Sequence, residues 1–234
     1  MEHQFSGGLV LRDDGAFPLG TDAILLADFA RVSAGEAVCD LGCGCGVIGL
    51  LLAARRAADV TGVELQPDAC ETARQNAARN GLTGRFRTVP GDLRGIRSLL
   101  PAGTFRAVVS NPPYFPDGAG AAAPGARGPA RTELACSLGD VCRAAAWLLR
   151  FGGRFFVVYR PERLADLICA LRENRLEPKR IRFVRHRPGA PVSLILLEAR
   201  SGGRAGLRCE PDLPLCGDDG QPSAEARRIY HWEE

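Results

Sequence analysis

Apolar positions along the chain fall into two patterns that alternate. Short runs apolar on both faces read as buried strands: "AVCDL" (37–41), "ADVTGVEL" (58–65), "RFRTVPGDL" (85–93), "FRAVVS" (105–110) and "GRFFVVYR" (153–160). Between them lie stretches with helical spacing: "VIGLLLAARRA" (47–57), "ACETARQNAARN" (69–80), "LGDVCRAAAWLLRF" (138–151) and "PERLADLICALREN" (161–174). Pro67-Asp68 opens the second of these helices, Gly81 stops it, and Gly152-Gly153 stop the third. Two last strands, "KRIRFVRHR" (179–187) and "VSLILLEAR" (192–200), are joined by "PGAP" without a helix and so must run antiparallel. Strands alternating with helices predict an α/β chain, a mostly parallel sheet covered on both faces. Near the N-terminus, "GGLVLRDDGAF" reads as a hairpin turning at Asp14-Gly15.

Composition narrows this picture. With 234 residues and 46% hydrophobic positions, one large domain fits better than two small ones. No apolar run approaches the roughly 20 residues that cross a bilayer. The start "MEHQFSGG" lacks the pattern of a signal peptide, so a soluble cytoplasmic protein is expected. The nine cysteines are scattered without a Cys-x-x-Cys pair, and His3, His186 and His231 are far apart; reduced filler cysteines and no metal site are expected. The net charge of +3 is mild, but 172–187 packs seven basic residues against Glu173 and Glu177. That run is either a solvated face or a phosphate-contacting edge. The one low-complexity stretch is "PDGAGAAAPGARGPAR" (116–131).

An open α/β sheet binds its ligand beyond the carboxyl ends of its strands, near the point where the strand order reverses. Three candidate sites fall at such ends. In "DLGCGCG", Gly42, Gly44 and Gly46 form a loop whose bare backbone lets a ligand lie close. Gly44, Gly46 and Gly49 also spell a nominal dinucleotide motif, so an NAD(P)-dependent oxidoreductase is a rival reading. Asp40 argues against it: a carboxylate repels a pyrophosphate and attracts a cationic amino group. Glu64, 18 positions beyond Gly46, can accept from both hydroxyls of a ribose, and Asp92 from an exocyclic adenine amine. An amino acid, a ribose and an adenine with positive charge at one end describe S-adenosylmethionine.

The third site is "SNPPY". Pro112 and Pro113 cannot donate to a sheet ladder, and Asn111 before them is held extended, which makes a rigid corner. An exocyclic or amide nitrogen is a poor nucleophile because its lone pair is delocalised. If the Asn111 side-chain oxygen and the Pro112 carbonyl accept its two hydrogens, the lone pair can turn toward a sulfonium methyl. Tyr114 would stack on the flat acceptor and hold it in line.

Taken in order, "VCDLGCGCG", "GVELQ", "GDL" and "SNPPY" resemble the successive motifs of class I methyltransferases that methylate planar nitrogens. The resemblance implies a Rossmann-like seven-stranded sheet with an antiparallel last strand. "PLGTDAILLADFA" and "GQPSAEARRIYH" are further similar to the bacterial family that N6-methylates adenine 37 of a valine tRNA. On that resemblance 1–234 is a single methyltransferase domain, with an N-terminal hairpin extension (1–20), a core (21–200) and a C-terminal extension (201–234). It places Thr21 and Asp22 near the methionine end of the cofactor and adds Leu65, Leu93 and Asn111 to the cofactor set. It makes tRNA the partner, and the basic run then supplies the candidate grip, Lys179, Arg180, Arg182, Arg185 and Arg187, with Arg127 and Arg131 of the low-complexity stretch ordering over the substrate. Related enzymes use the same corner on DNA or rRNA adenine or on a protein glutamine amide, so these acceptors stay open. The oligomeric state is open too.

Overall fold

The computed structural model describes residues 2–5, 8–13, 20–113 and 136–230. β1 (Glu2–Gln4) and β2 (Val10–Arg12) pair antiparallel as a small separate sheet. The main chain order is then α1 (Thr21–Phe29), β3 (Ala37–Leu41), α2 (Val47–Arg56), β4 (Asp59–Glu64), α3 (Pro67–Arg79), β5 (Phe86–Pro90), the one-turn α4 (Ile96–Leu99) and β6 (Phe105–Ser110). It continues with α5 (Leu138–Leu148), β7 (Leu149–Tyr159), α6 (Leu164–Glu173), β8 (Leu176–Arg185) and β9 (Val192–Ser201), then the short β10 (Arg208–Cys209), β11 (Leu213–Pro214) and α7 (Ala224–Tyr230).

The seven expected strands lie in the order β5-β4-β3-β6-β7-β9-β8, parallel except for β9, which is antiparallel to both neighbours. Two more strands complete a nine-stranded sheet, because β10 and β11 both pair in parallel with β8. They cover what would be an open edge. Two-residue strands carry no periodicity, which is why the seven-strand expectation missed them. One apolar cluster fills the face under α1, α2 and α7, with Leu25, Leu51 and Phe156 at its centre. A second, around Val141, Leu148 and Leu167, fills the face under α5 and α6.

Two local expectations are corrected. The helix expected over 138–151 ends at Leu148, and the strand already begins at Leu149. Gly152 and Gly153 belong to an irregularity in β7 where its register against β6 shifts; a Cβ on Gly153 would lie 2.9 Å from the Arg150 carbonyl oxygen. The glycine pair therefore marks a bulge rather than a helix stop. The N-terminal hairpin pairs β2 backward onto β1, closed by the Phe5 N–H to the Leu9 carbonyl, and the expected turn at Asp14-Gly15 lies outside the described residues.

Two asparagines one helical turn apart, Asn76 on α3 and Asn80 capping its C-terminus, clip this hairpin to the core. Asn80 accepts from the Val10 N–H at 2.8 Å and donates to its carbonyl at 2.7 Å, as a neighbouring strand would. Asn76, fully buried, does the same for Arg12 and also donates to the Cys45 carbonyl at 3.0 Å. Its oxygen and both its amide hydrogens are thereby used, which removes the cost of burying an amide. Among the described residues, no helix is long and apolar enough to cross a membrane.

Candidate active site at the carboxyl edge of the sheet

The strand order reverses at β3. The chain moves outward from β3 to β4 and β5, then returns past β3 to β6. The register places Leu41 beside Ser110 and Val63, and Glu64 beside Pro90, so four strand ends meet along one edge. The Ser110 hydroxyl donates to the Leu41 carbonyl at 2.9 Å and ties the proline corner to the glycine loop. Along this edge stand, in order, Asp92, Glu64, the 42–46 loop and Asn111. Strands about 4.8 Å apart make that row about 14 Å long.

The loop after β3 turns through Gly42, Gly44 and Gly46 at φ of 69°, 53° and 88°, a region that side chains rarely enter. A Cβ on Gly42 would meet nothing within 4 Å, so this stretch of backbone faces open space. Glu64 braces the loop from the next strand. Its two carboxylate oxygens accept the Gly44 N–H at 2.8 Å and the Gln66 N–H at 2.9 Å. Each oxygen keeps a further lone pair for a hydroxyl.

Asp40 is wholly buried. One oxygen accepts the Gly49 N–H at 2.9 Å, and the other has no hydrogen-bond partner among the described residues. Burial pushes its pKa from 3.8 up to about 7; the Gly49 N–H opposes this and the Glu64 charge adds to it. An orphaned buried oxygen of this kind costs about 1–3 kcal/mol, which a cationic donor would relieve.

The remaining expected residues are placed as follows. Asp92 accepts from the Arg94 backbone N–H and from its Nε, both at 2.8 Å, and this guanidinium holds its pKa below the usual carboxylate value. Leu65 is 55% exposed beside Glu64, while Leu93 is half-buried against the α5 side of the core. Asn111 is half-buried, Pro112 buried and Pro113 exposed. Thr21 opens α1 and Asp22 sits in its first turn. Tyr114, Arg127 and Arg131 lie outside the described residues.

The sequence pattern of the methyltransferase small domain family matches residues 17–168. The chain belongs to this family. It is 32% identical to the tRNA1(Val) (adenine(37)-N6)-methyltransferase of Parabacteroides distasonis, over 83% of this chain and 81% of that one. It is 34% identical to the protein of the same name from Porphyromonas gingivalis, over 81% of this chain and 77% of that one. Its fold is similar to the crystal structure of a predicted O-methyltransferase from Agrobacterium tumefaciens, at a TM-score of 0.75 and 24% identity, covering 90% of this chain and 96% of that one. Membership in a methyltransferase family sets aside the nicotinamide reading of Gly44, Gly46 and Gly49.

In this methyltransferase the basic run on β8 is mostly engaged by carboxylates and carbonyls of its own chain, contrary to the phosphate-gripping edge expected from its charge. Arg180 is 4% exposed; its guanidinium bonds Glu198, Glu210 and the Phe29 carbonyl and lies 3.7 Å from the centre of the Phe29 ring. Arg182 makes a bidentate pair with Glu225 of α7, and Arg185 bonds Asp212 and the Ala190 carbonyl. Lys179 donates to the Arg204 carbonyl at 3.1 Å. These side chains fasten the C-terminal extension to the sheet; Arg187, just past β8, is exposed. The filler reading of the cysteines likewise fails at Cys169 and Cys209, which are exposed.

Sequence reasoning also missed three supports of the site: Asn76 under Cys45, Ser110 on Leu41, and Tyr230 of α7, which is hydrogen-bonded with Thr21. An Asn-x-x-x-Asn pair on a helix is the one signal that was readable in advance. Gly62 on β4 is a fourth. A Cβ there would lie 2.6 Å from Cys43 Sγ, inside the glycine loop. The Gly62→Ala protein should therefore lose about 1–3 kcal/mol of stability and bind cofactor more weakly, as read by urea denaturation and calorimetry. Parent-like values in both would show that Cys43 is not packed against Gly62.

Proposed function

We propose that this chain transfers the methyl group of S-adenosylmethionine to the exocyclic N6 of an adenine in tRNA, at position 37 beside the anticodon. The observation that carries this reading is the row of four strand ends, because the order of its residues suits adenine, ribose and methionine in turn, followed by the acceptor. The orphaned Asp40 oxygen, the open backbone at Gly42 and the ribose-accepting lone pairs of Glu64 fit the amino, methionine and ribose parts. Asp92 and the exposed Leu65 fit the adenine, as acceptor and apolar platform. Bound there, S-adenosylmethionine supplies an electrophilic methyl on a sulfonium. Asn111 and the Pro112 carbonyl accept the N6 hydrogens and aim the lone pair at that methyl, and Tyr114 stacks on the base.

An anticodon-loop adenine is only partly stacked, so turning it outward costs a few kcal/mol at most. No separate recognition domain is then needed, and 1–234 acts as one catalytic unit in the cytoplasm, where tRNA is. Two curated relatives with the tRNA1(Val) name support the acceptor. Offering the purified protein labelled cofactor with bulk tRNA, ribosomal RNA and a translation release factor tests it. The expected result is N6-methyladenosine in digested tRNA; label on a release-factor glutamine with none in tRNA would overturn the acceptor.

A further inference from the structure

A cavity of about 380 Å³ opens between α1, β8 and α7, away from the carboxyl edge of the sheet. Five guanidiniums line it, those of Arg31, Arg56, Arg180, Arg182 and Arg228, against the three carboxylates of Asp28, Glu210 and Glu225. The excess is two positive charges. Behind the wall, Glu198 takes the Arg180 Nε and Arg55 adds another cation, so the excess holds.

The cavity has two tiers. Its floor, Arg180 and Arg182, is spent on the ion pairs described above. Its mouth is different: the side chains of Arg31, Arg56 and Arg228 are 67%, 43% and 52% exposed. Arg31 spends one N–H on Glu210 at 3.0 Å, and Arg56 comes no nearer than 3.9 Å to Asp28, too far for a hydrogen bond. Arg228 grips both oxygens of Asp28. Asp28 is thus crowded by Arg56, Arg228 and Arg55, and one nitrogen of Arg55 is buried without a partner among the described residues. Three cations around one carboxylate repel each other unless an anion joins them. Guanidinium forks suit the oxygens of a phosphate.

We propose that this cavity holds a phosphate of an RNA backbone, with Arg31 and Arg56 as its contact residues. The identification of the RNA as substrate rests on the tRNA reading above. α1 is about 13 Å long and runs from Thr21, which the family resemblance sets near the methionine end of the cofactor, to Phe29 in the cavity wall, so an RNA seated at the proline corner would reach the mouth with its stem. The basic run on β8 contributes the floor, while residues far apart in sequence make the contact.

Binding of full-length tRNA by fluorescence anisotropy, repeated from 50 to 200 mM salt, tests this against the Arg31→Gln, Arg56→Gln double variant. Both side chains are at the surface in single or long ion pairs, so the variant should fold as the parent does. The expected result is about tenfold weaker binding at low salt and a slope of log affinity against log salt lower by about 1. Unchanged affinity and slope overturn the proposal. Calorimetry with inorganic pyrophosphate separates the sources: uptake by the parent, lost in the variant, together with an unchanged tRNA slope would assign the cavity to a free phosphate ligand and overturn the RNA assignment. If the parent methylates no tRNA but the salt slope still drops in the variant, the proposed reaction fails and the phosphate contact stands. If the parent methylates tRNA and the slope is unchanged, the reaction stands and the phosphate contact fails.

Discussion

The Asn111→Ala protein is expected to bind S-adenosylmethionine within a few-fold of the parent and to methylate tRNA at least about a hundred times more slowly. Asn111 stands just past β6 at the end of the row, beyond the loop that would hold the cofactor, so its amide acts chiefly on the acceptor nitrogen. As that nitrogen gives up its planar conjugation, its two hydrogens become stronger donors, and the acceptors facing them gain most in the transition state. The corner should survive the change, because Pro112 and Pro113 keep the backbone preset and the Ser110 bond to Leu41 is untouched. Single-turnover methyl transfer, paired with calorimetry of the cofactor, reads the two effects separately. A rate above about a tenth of the parent, a loss below roughly 1.4 kcal/mol, is too small for the role assigned.

The second large effect concerns Asp40 and pH. Its folded pKa of about 7 lies above the ordinary value of 3.8, so between these values the native protein holds a proton that the unfolded chain has released. Stability from this group is therefore fully present below about pH 4 and is lost as pH rises through about 7, by at most about 4 kcal/mol. The stability of the parent relative to Asp40→Asn, read by thermal denaturation without cofactor, should fall as pH rises through that window. Cofactor affinity should run the other way. A cationic amino group favours the ionised carboxylate, so the parent should bind about a hundred times more weakly at pH 5 than at pH 7.5, and the Asn variant weakly at both. Affinity that is flat from pH 5 to 7.5, or an Asn variant that binds like the parent at pH 7.5, would remove Asp40 from the cofactor site.

Much of the candidate site could be read from the chain alone, because its parts are strand ends. A strand's apolar run stops where its carboxyl end leaves the core, so the residues at and just past the ends of "AVCDL", "TGVEL", "RTVPG" and "AVVS" are marked as edge residues by local pattern. Asp40, Glu64, Asp92 and Asn111 were legible for that reason, and α/β alternation made them neighbours before any coordinates were known. The structure adds that both Glu64 oxygens hold backbone N–H groups, so the carboxylate proposed for the ribose also braces the glycine loop.

What only the tertiary structure decided is which charges face water. A run such as 179–187 shows the residues of one strand but not its neighbours, and here α7, β10 and β11 bring Glu225, Glu210 and Asp212 onto it. A guanidinium held bidentate or at close range by a carboxylate has few donors left for a phosphate, so density of basic residues in sequence predicted a surface whose charges the fold pairs within the chain. Arg31, Arg56 and Arg228 carry no such signal, since they come from α1's end, α2's end and α7 and meet only when those helices pack. Asn76 is the same kind of case. Its place under both Arg12 and Cys45 depends on three segments distant in the chain, and local periodicity reports only on residues within a few turns of one another.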